Sequence, residues 1–141
     1  MNTDLHDFEK FMKQREDAAG AYVRGDAAPL GRIVTHSAPA TFFGPQGGYR
    51  QGADEVSTTY TRDAASFAPG GDTHFEILDM AASDGIAYWV GFQHANVYMQ
   101  GRSAAIPMTL RVTEVFRHEG DSWKMVHRHA DALPLKPEQK K

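Results

Sequence analysis

Cysteine is missing from the 141-residue sequence. That absence excludes a disulfide framework, a thiolate metal site and a cysteine nucleophile. Long apolar runs are missing too, and none approaches the ~18 residues that a membrane span needs. The first residues, Met1-Asn2-Thr3-Asp4, lack the basic-then-apolar order of a secretory signal, so a cytoplasmic location is expected. Positive charge is in deficit: the formal net charge is -3, whereas proteins that grip nucleic acid usually carry a basic stripe. Lys136, Lys140 and Lys141 form the one cationic cluster, in a polar tail spanning about 133–141. Neither nucleic acid nor a membrane is an expected partner.

Several catalytic signatures are absent as well. Gly44-Pro45-Gln46-Gly47-Gly48 is glycine-rich but lacks the Gly-Lys-Ser/Thr ending of a phosphate loop. No serine sits in a Gly-x-Ser-x-Gly elbow. His118-Glu119 runs into Gly120-Asp121, a turn, so it is not a metalloprotease helix motif. No metal and no cofactor is implied.

What is present is an ordinary globular composition, 41% hydrophobic and 23% charged, which argues against disorder and suits a single domain over 1–141. Leu5, Phe8, Met12, Ala19 and Tyr22 recur at helical spacing and predict a first helix over Asp4–Arg24, stopped by Gly25. Asp26 can cap a short second helix holding Pro29, Leu30 and Ile33. Thr41-Phe42-Phe43 and Tyr49-Arg50-Gln51 read as a small hairpin. Val56, Tyr60, Ala64 and Phe67 mark a third helix from about Ala53, ended by Pro69-Gly70-Gly71. The period then switches to two, predicting strands over His74–Ala82, Ile86–Tyr98, Ala105–Glu119 and Ser122–Ala132, joined by turns as an antiparallel meander.

Helices first and long strands afterwards imply an α+β fold with the helices on one face of the sheet. Alternation supplies the rows. Ile86, Tyr88, Val90, Phe92 and His94 oppose Ala87, Trp89, Gly91, Gln93 and Ala95. Leu110, Val112 and Phe116 oppose Arg111, Thr113, Val115 and Arg117. Trp123, Met125, His127, His129 and Asp131 oppose Lys124, Val126, Arg128 and Ala130. Both faces carry large apolar residues, so both should be covered. A second copy of the chain is the economical cover for the face without helices, with Trp89, Val112, Phe116 and Val126 as the expected dimer interface.

The layout of three helices, an early hairpin and four long strands resembles the nuclear transport factor 2-like superfamily. Arg111-Val112-Thr113-Glu114-Val115-Phe116-Arg117, followed by Trp123-Lys124-Met125-Val126-His127-Arg128-His129-Ala130-Asp131, resembles its SnoaL-like branch. The resemblance implies a cone-shaped, mostly antiparallel curved sheet with the three helices on its concave face. It further implies that the Arg111/Thr113/Val115 and Trp123/Met125/His127/His129/Asp131 rows look into the cone. Tyr88, Phe92 and His94 should join them, with Tyr22 and Tyr60 from the helices, forming a mostly aromatic small-molecule pocket.

Within that pocket His129, Asp131 and Arg111 are the candidate catalytic residues. An imidazole beside a carboxylate can move protons near neutral pH, and a guanidinium can bind a carboxylate or steady an oxyanion. The alternative is structural, with Arg111 simply pairing Asp131. Ketosteroid isomerases of this superfamily place an aspartate base before a proline in the early hairpin; here Gly44 precedes Pro45, so that mechanism is not expected. Two functions remain open. One is a small-molecule pocket protein, with proton transfer on a hydrophobic carbonyl or epoxide substrate as its catalytic form. The other is a non-catalytic ligand-binding or oligomerisation module, like a kinase II association domain.

Overall fold

The computed structural model describes residues 3–134; the basic tail beyond Pro134 and the first two residues lie outside them. Helix α1 spans Thr3–Tyr22, α2 Ala28–Ile33 and α3 Ala53–Ala64. Strands are β1 Thr41–Phe43, β2 Arg50–Gln51, β3 Phe67–Ser83, β4 Ile86–Met99, β5 Ile106–Glu119 and β6 Ser122–Ala132. They form one sheet in the order β2-β1-β6-β5-β4-β3. Every pair is antiparallel except β1 with β6, since β1 enters from the helical half of the chain. The expected α+β cone with helices on its concave face is the observed architecture.

The helices adhere through the apolar stripe that their spacing lays down. Phe8 of α1 is fully buried, its ring 5.1 Å from Phe116 and 5.4 Å from Trp123. Trp89 lies under the same helix, stacked on Phe75 at 4.6 Å. Carboxylates of α1 also fasten the sheet: Glu16 accepts from the Phe75 N–H at 2.7 Å and Asp4 from the Gly85 N–H at 2.9 Å. Phe75 belongs to the edge strand, so Glu16 occupies a donor that would otherwise be open to another chain. Gly25 ends the α1 region with φ of 98°, and a Cβ there would come within 2.9 Å of the Phe67 carbonyl oxygen. Only glycine suits that position.

Three registers in the sheet are broken. In β3, residues slip against β4 between Ala68 and Asp72 and again between Ile77 and Asp79. In β6, Met125 faces Phe116 but His127 faces Val115, so Val126 is an extra residue. Such bulges bend strands and add twist, which gives the sheet its curvature.

Two expectations are corrected here. Phe67 is not the last turn of α3 but the start of β3, and Pro69-Gly70-Gly71 form the first bulge of that strand rather than a helix stop. Packing decides this: the Phe67 ring meets Tyr22 at 5.7 Å and joins the cluster around Val23 and Val97. The expected outer interface is also misassigned. Trp89, Val112 and Phe116 are buried against the helices, and Val126 sits at the β6 bulge. The helices select the row of large apolar side chains that fills their groove, leaving the Tyr88, Val90 and Phe92 row outside.

Candidate functional site

An inner cavity of about 530 Å³ opens between α1, α3 and the concave face of the sheet. Arg15, Ala19 and Tyr22 reach it from one face of α1, spaced four and three apart. Tyr60 comes from α3, Gln93, Ala95 and Val97 from alternate positions of β4, Met108 and Leu110 from β5, and Arg128 from β6. Phe42 and Leu30 complete the apolar wall, while Arg62 and Asp63 lie at the rim, 3.7 Å apart.

Beneath this wall is a polar floor. Glu114, fully buried, accepts from Arg15 Nε at 2.9 Å and Nη2 at 2.7 Å, from Trp89 Nε1 at 2.8 Å, and from Arg128 Nη1. Arg128 Nη2 donates to Gln93 Oε1 at 2.7 Å, and Gln93 Nε2 donates to Thr73 Oγ1 at 3.1 Å. The Arg15 guanidinium also lies over the Phe75 ring, 5.1 Å from its centroid.

Charge follows from this geometry. Burial alone would raise the Glu114 pKa, but Arg15 and Arg128, with the hydrogen bonds from Arg15 and Trp89, hold it down at about 2. Burial works against the Arg15 charge too, yet Glu114 outweighs it and its pKa moves up. Burial pushes the phenols of Tyr60 and Tyr22 up, so both are neutral donors. Two guanidiniums thus face one carboxylate. Among the described residues, buried Arg15 Nη1 and Tyr60 Oη have no hydrogen-bond partner.

The residues singled out in the sequence divide between two faces. Tyr22 and Tyr60 do line the cavity, 6.3 Å apart in an edge-to-face contact. Trp123 and Met125 point inward but belong to the solid core beside Phe8. Tyr88, Phe92, His94, Arg111, Thr113, His127, His129 and Asp131 occupy the opposite, outer face. This corrects the expectation that these rows look into the cone. For β6 the cause is the extra residue at Val126: it reverses the alternation, so Arg128 and Ala130 follow Met125 inward and the imidazoles turn out. For β4 and β5 the opposite row is the one the helices bury.

On that outer face the side chains pair with one another. Arg111 Nε donates to Asp131 Oδ1 at 2.6 Å and His129 Nε2 lies 3.4 Å from Asp131 Oδ2. The Arg111 hydrogen bond lowers the Asp131 pKa and raises that of Arg111. His127 Nδ1 is hydrogen-bonded to Thr41 Oγ1 at 2.7 Å, and partial burial, aided by His129, lowers its pKa. His94 contacts Glu76 at 2.8 Å and Thr109 at 3.2 Å. A shallow groove of about 720 Å³ between the early hairpin and β6 includes Phe43, Tyr49, His129 and Asp131. Among the described residues, no three His, Asp or Glu side chains converge as metal ligands.

Arg15, Gln93, Glu114 and Arg128 were not singled out from the sequence, although a signal existed. Arg15 interrupts the apolar stripe of α1 between Met12 and Ala19, and Glu114 sits between Val112 and Phe116 in the core row of β5. Opposite charges at buried positions on two elements call for each other.

The comparisons with known proteins agree with this architecture. The SnoaL-like domain family matches residues 15–134. No curated protein sequence matches the chain. A nuclear transport factor 2-like superfamily protein from Salmonella enterica superposes with a TM-score of 0.75 at 13% identity, over 94% of this chain and 92% of that one. A Streptomyces avermitilis protein, provisionally assigned as a dehydratase of the same family, gives 0.74 at 19% identity, over 94% and 98%. A Thiobacillus denitrificans protein, provisionally assigned as a calcium/calmodulin-dependent protein kinase type II association domain, gives 0.68 at 13%, over 86% and 93%. Identities this low speak to fold alone. With its family match spanning most of its length, this chain belongs to the SnoaL-like family and is built on the nuclear transport factor 2-like fold.

Proposed function

We propose that this chain is a ligand-binding member of its family, holding a small, largely apolar molecule in the inner cavity without proton transfer there. The carrying observation is the chemistry of the lining. Aromatic and aliphatic side chains make the wall, and among the described residues the polar floor holds no imidazole. Its one carboxylate, Glu114, is ionised and engaged by two guanidiniums, and general-base catalysis needs a group that can accept a proton near neutrality. Asp63 stands at the rim, paired with Arg62. The neutral dye 1-N-phenylnaphthylamine tests the reading. Its fluorescence should rise on mixing with the protein, and Ala132→Trp, at the exposed end of the cavity, should abolish the rise while leaving the circular dichroism unchanged. A dye signal indifferent to that plug would reject the cavity as the site.

A second reading, compatible with the first, concerns the outer face. Leu78 is 62% exposed and Ile86 50% exposed, beside half-buried Tyr88, Val90, Phe92 and Val115. We propose that a second copy of this chain covers them. The association-domain likeness lends this reading some weight, since that relative is named for assembly.

A further inference from the structure

We infer that the molecule held in the inner cavity is an apolar monocarboxylate, whose carboxylate group is received by Arg15 Nη1 and Tyr60 Oη. This inference rests on the cavity being the ligand site. It starts from two atoms. Arg15 is 2% exposed and Tyr60 4% exposed, both line the cavity, and among the described residues Arg15 Nη1 and Tyr60 Oη have no hydrogen-bond partner. A buried guanidinium N–H left without an acceptor is costly, and so is a buried phenol. The guanidinium N–H can only donate and the neutral phenol has a proton to donate, so an acceptor on the ligand satisfies both.

Charge narrows the acceptor. The floor sets two guanidiniums against the single carboxylate of Glu114, leaving one positive charge in excess. Arg62 and Asp63 at the rim offset each other. A monoanion neutralises the site, whereas a phosphate dianion would overshoot and would find too few free donors. Glu114 already takes the Nε and Nη2 edge of Arg15, so one ligand oxygen would accept from Nη1 and the other from the Tyr60 hydroxyl, and the two oxygens of a carboxylate supply that pair. The remaining lining fixes the rest of the molecule. Tyr22, Leu30, Phe42, Met108 and Leu110 offer no charge, so the body beyond the carboxylate is hydrocarbon, and the aromatic walls favour a ring.

Isothermal titration calorimetry on the full chain with 2-naphthoate and with neutral, isosteric 2-naphthamide tests the inference. Naphthoate should bind about tenfold or more tightly than the amide, the value of one charge-assisted hydrogen bond. Tyr60→Phe keeps the ring against Phe42 but removes the hydroxyl, and should weaken naphthoate about tenfold while dye binding persists. Arg15→Lys keeps a cation beside Glu114 yet loses the planar fork, and should act in the same direction. Equal binding of naphthoate and naphthamide, or no effect of Tyr60→Phe, would overturn the carboxylate while leaving the cavity reading intact. Dye binding without naphthoate binding does the same. Failure of both dye and naphthoate removes the cavity reading as well.

Discussion

At the residue scale the protein turns on Glu114. A buried carboxylate is tolerated here because Arg15, Arg128 and Trp89 satisfy it from three elements. Replacing it with glutamine leaves two buried guanidiniums facing a neutral amide. Glu114→Gln should therefore destabilise the fold by about 3–5 kcal/mol, read from urea unfolding at neutral pH. The pH dependence follows with its sign. The carboxyl falls from an ordinary value of 4.5 to about 2 on folding. A depressed folded pKa gives stability that is present above pH 4.5 and lost as pH falls toward 2. Glu114→Gln should remove that part of the acid sensitivity, so the two stability curves converge on acidification. Parallel curves would show that the carboxylate is not held by its partners. His129 offers the contrast. Its side chain is half exposed on the outer face, so His129→Ala should move the melting temperature by no more than about 2 °C and leave dye binding unchanged.

At the scale of elements, the bulges decide what faces what. Opposite Ile77, beside the bulge at Leu78, the β3 backbone presses onto Gly91 so closely that a Cβ there would lie 2.0 Å from the Glu76 carbonyl oxygen. Gly91→Ala cannot be relieved by a rotamer change, because the obstacle is backbone. It should cost at least about 2 kcal/mol in denaturant unfolding, whereas Gly31→Ala, which lies within α2 and meets nothing nearby, should stabilise by up to about 1 kcal/mol. The same feature explains what was legible in the sequence. Helical spacing found α1 and α2 and the start of α3, and period-two runs found β4, β5 and β6 nearly to the residue, because these patterns express local geometry. The faces were harder to read. Trp123 and Met125 obey the alternation up to Val126, and His127 breaks it, since one inserted residue reverses every later side chain. Nothing in Val126 itself announces a bulge; β5 imposes it. Likewise Phe67 continues a helical pattern but is claimed by the cluster around Val97. The candidate site therefore passed from the visible His-x-His-x-Asp row to Arg15, Glu114 and Arg128, residues whose meaning depends on contacts across up to 99 positions of chain.

At the scale of the whole molecule the question is what covers the outer sheet. The helices fill the concave side, so the Tyr88, Val90 and Phe92 row faces solvent with Leu78 and Ile86 beside it. Around these lie Arg111 with Asp131 and His94 with Glu76, pairs that suit the rim of an interface. An apolar centre within a polar border is the anatomy of a protein–protein surface, and a stable homodimer typically buries about 1,200–2,000 Å² in total. A two-fold axis would set each row against its own copy, so one substitution acts twice. Sedimentation equilibrium at micromolar concentration should give twice the 15.6 kDa chain mass for the wild type. Leu78→Glu combined with Phe92→Glu should give the single-chain mass, because like charges would meet across the axis in a desolvated patch. The dye should still bind this variant, as the inner cavity lies on the other side of the sheet. A wild type that sediments as one chain would leave the outer face uncovered and reject the second copy.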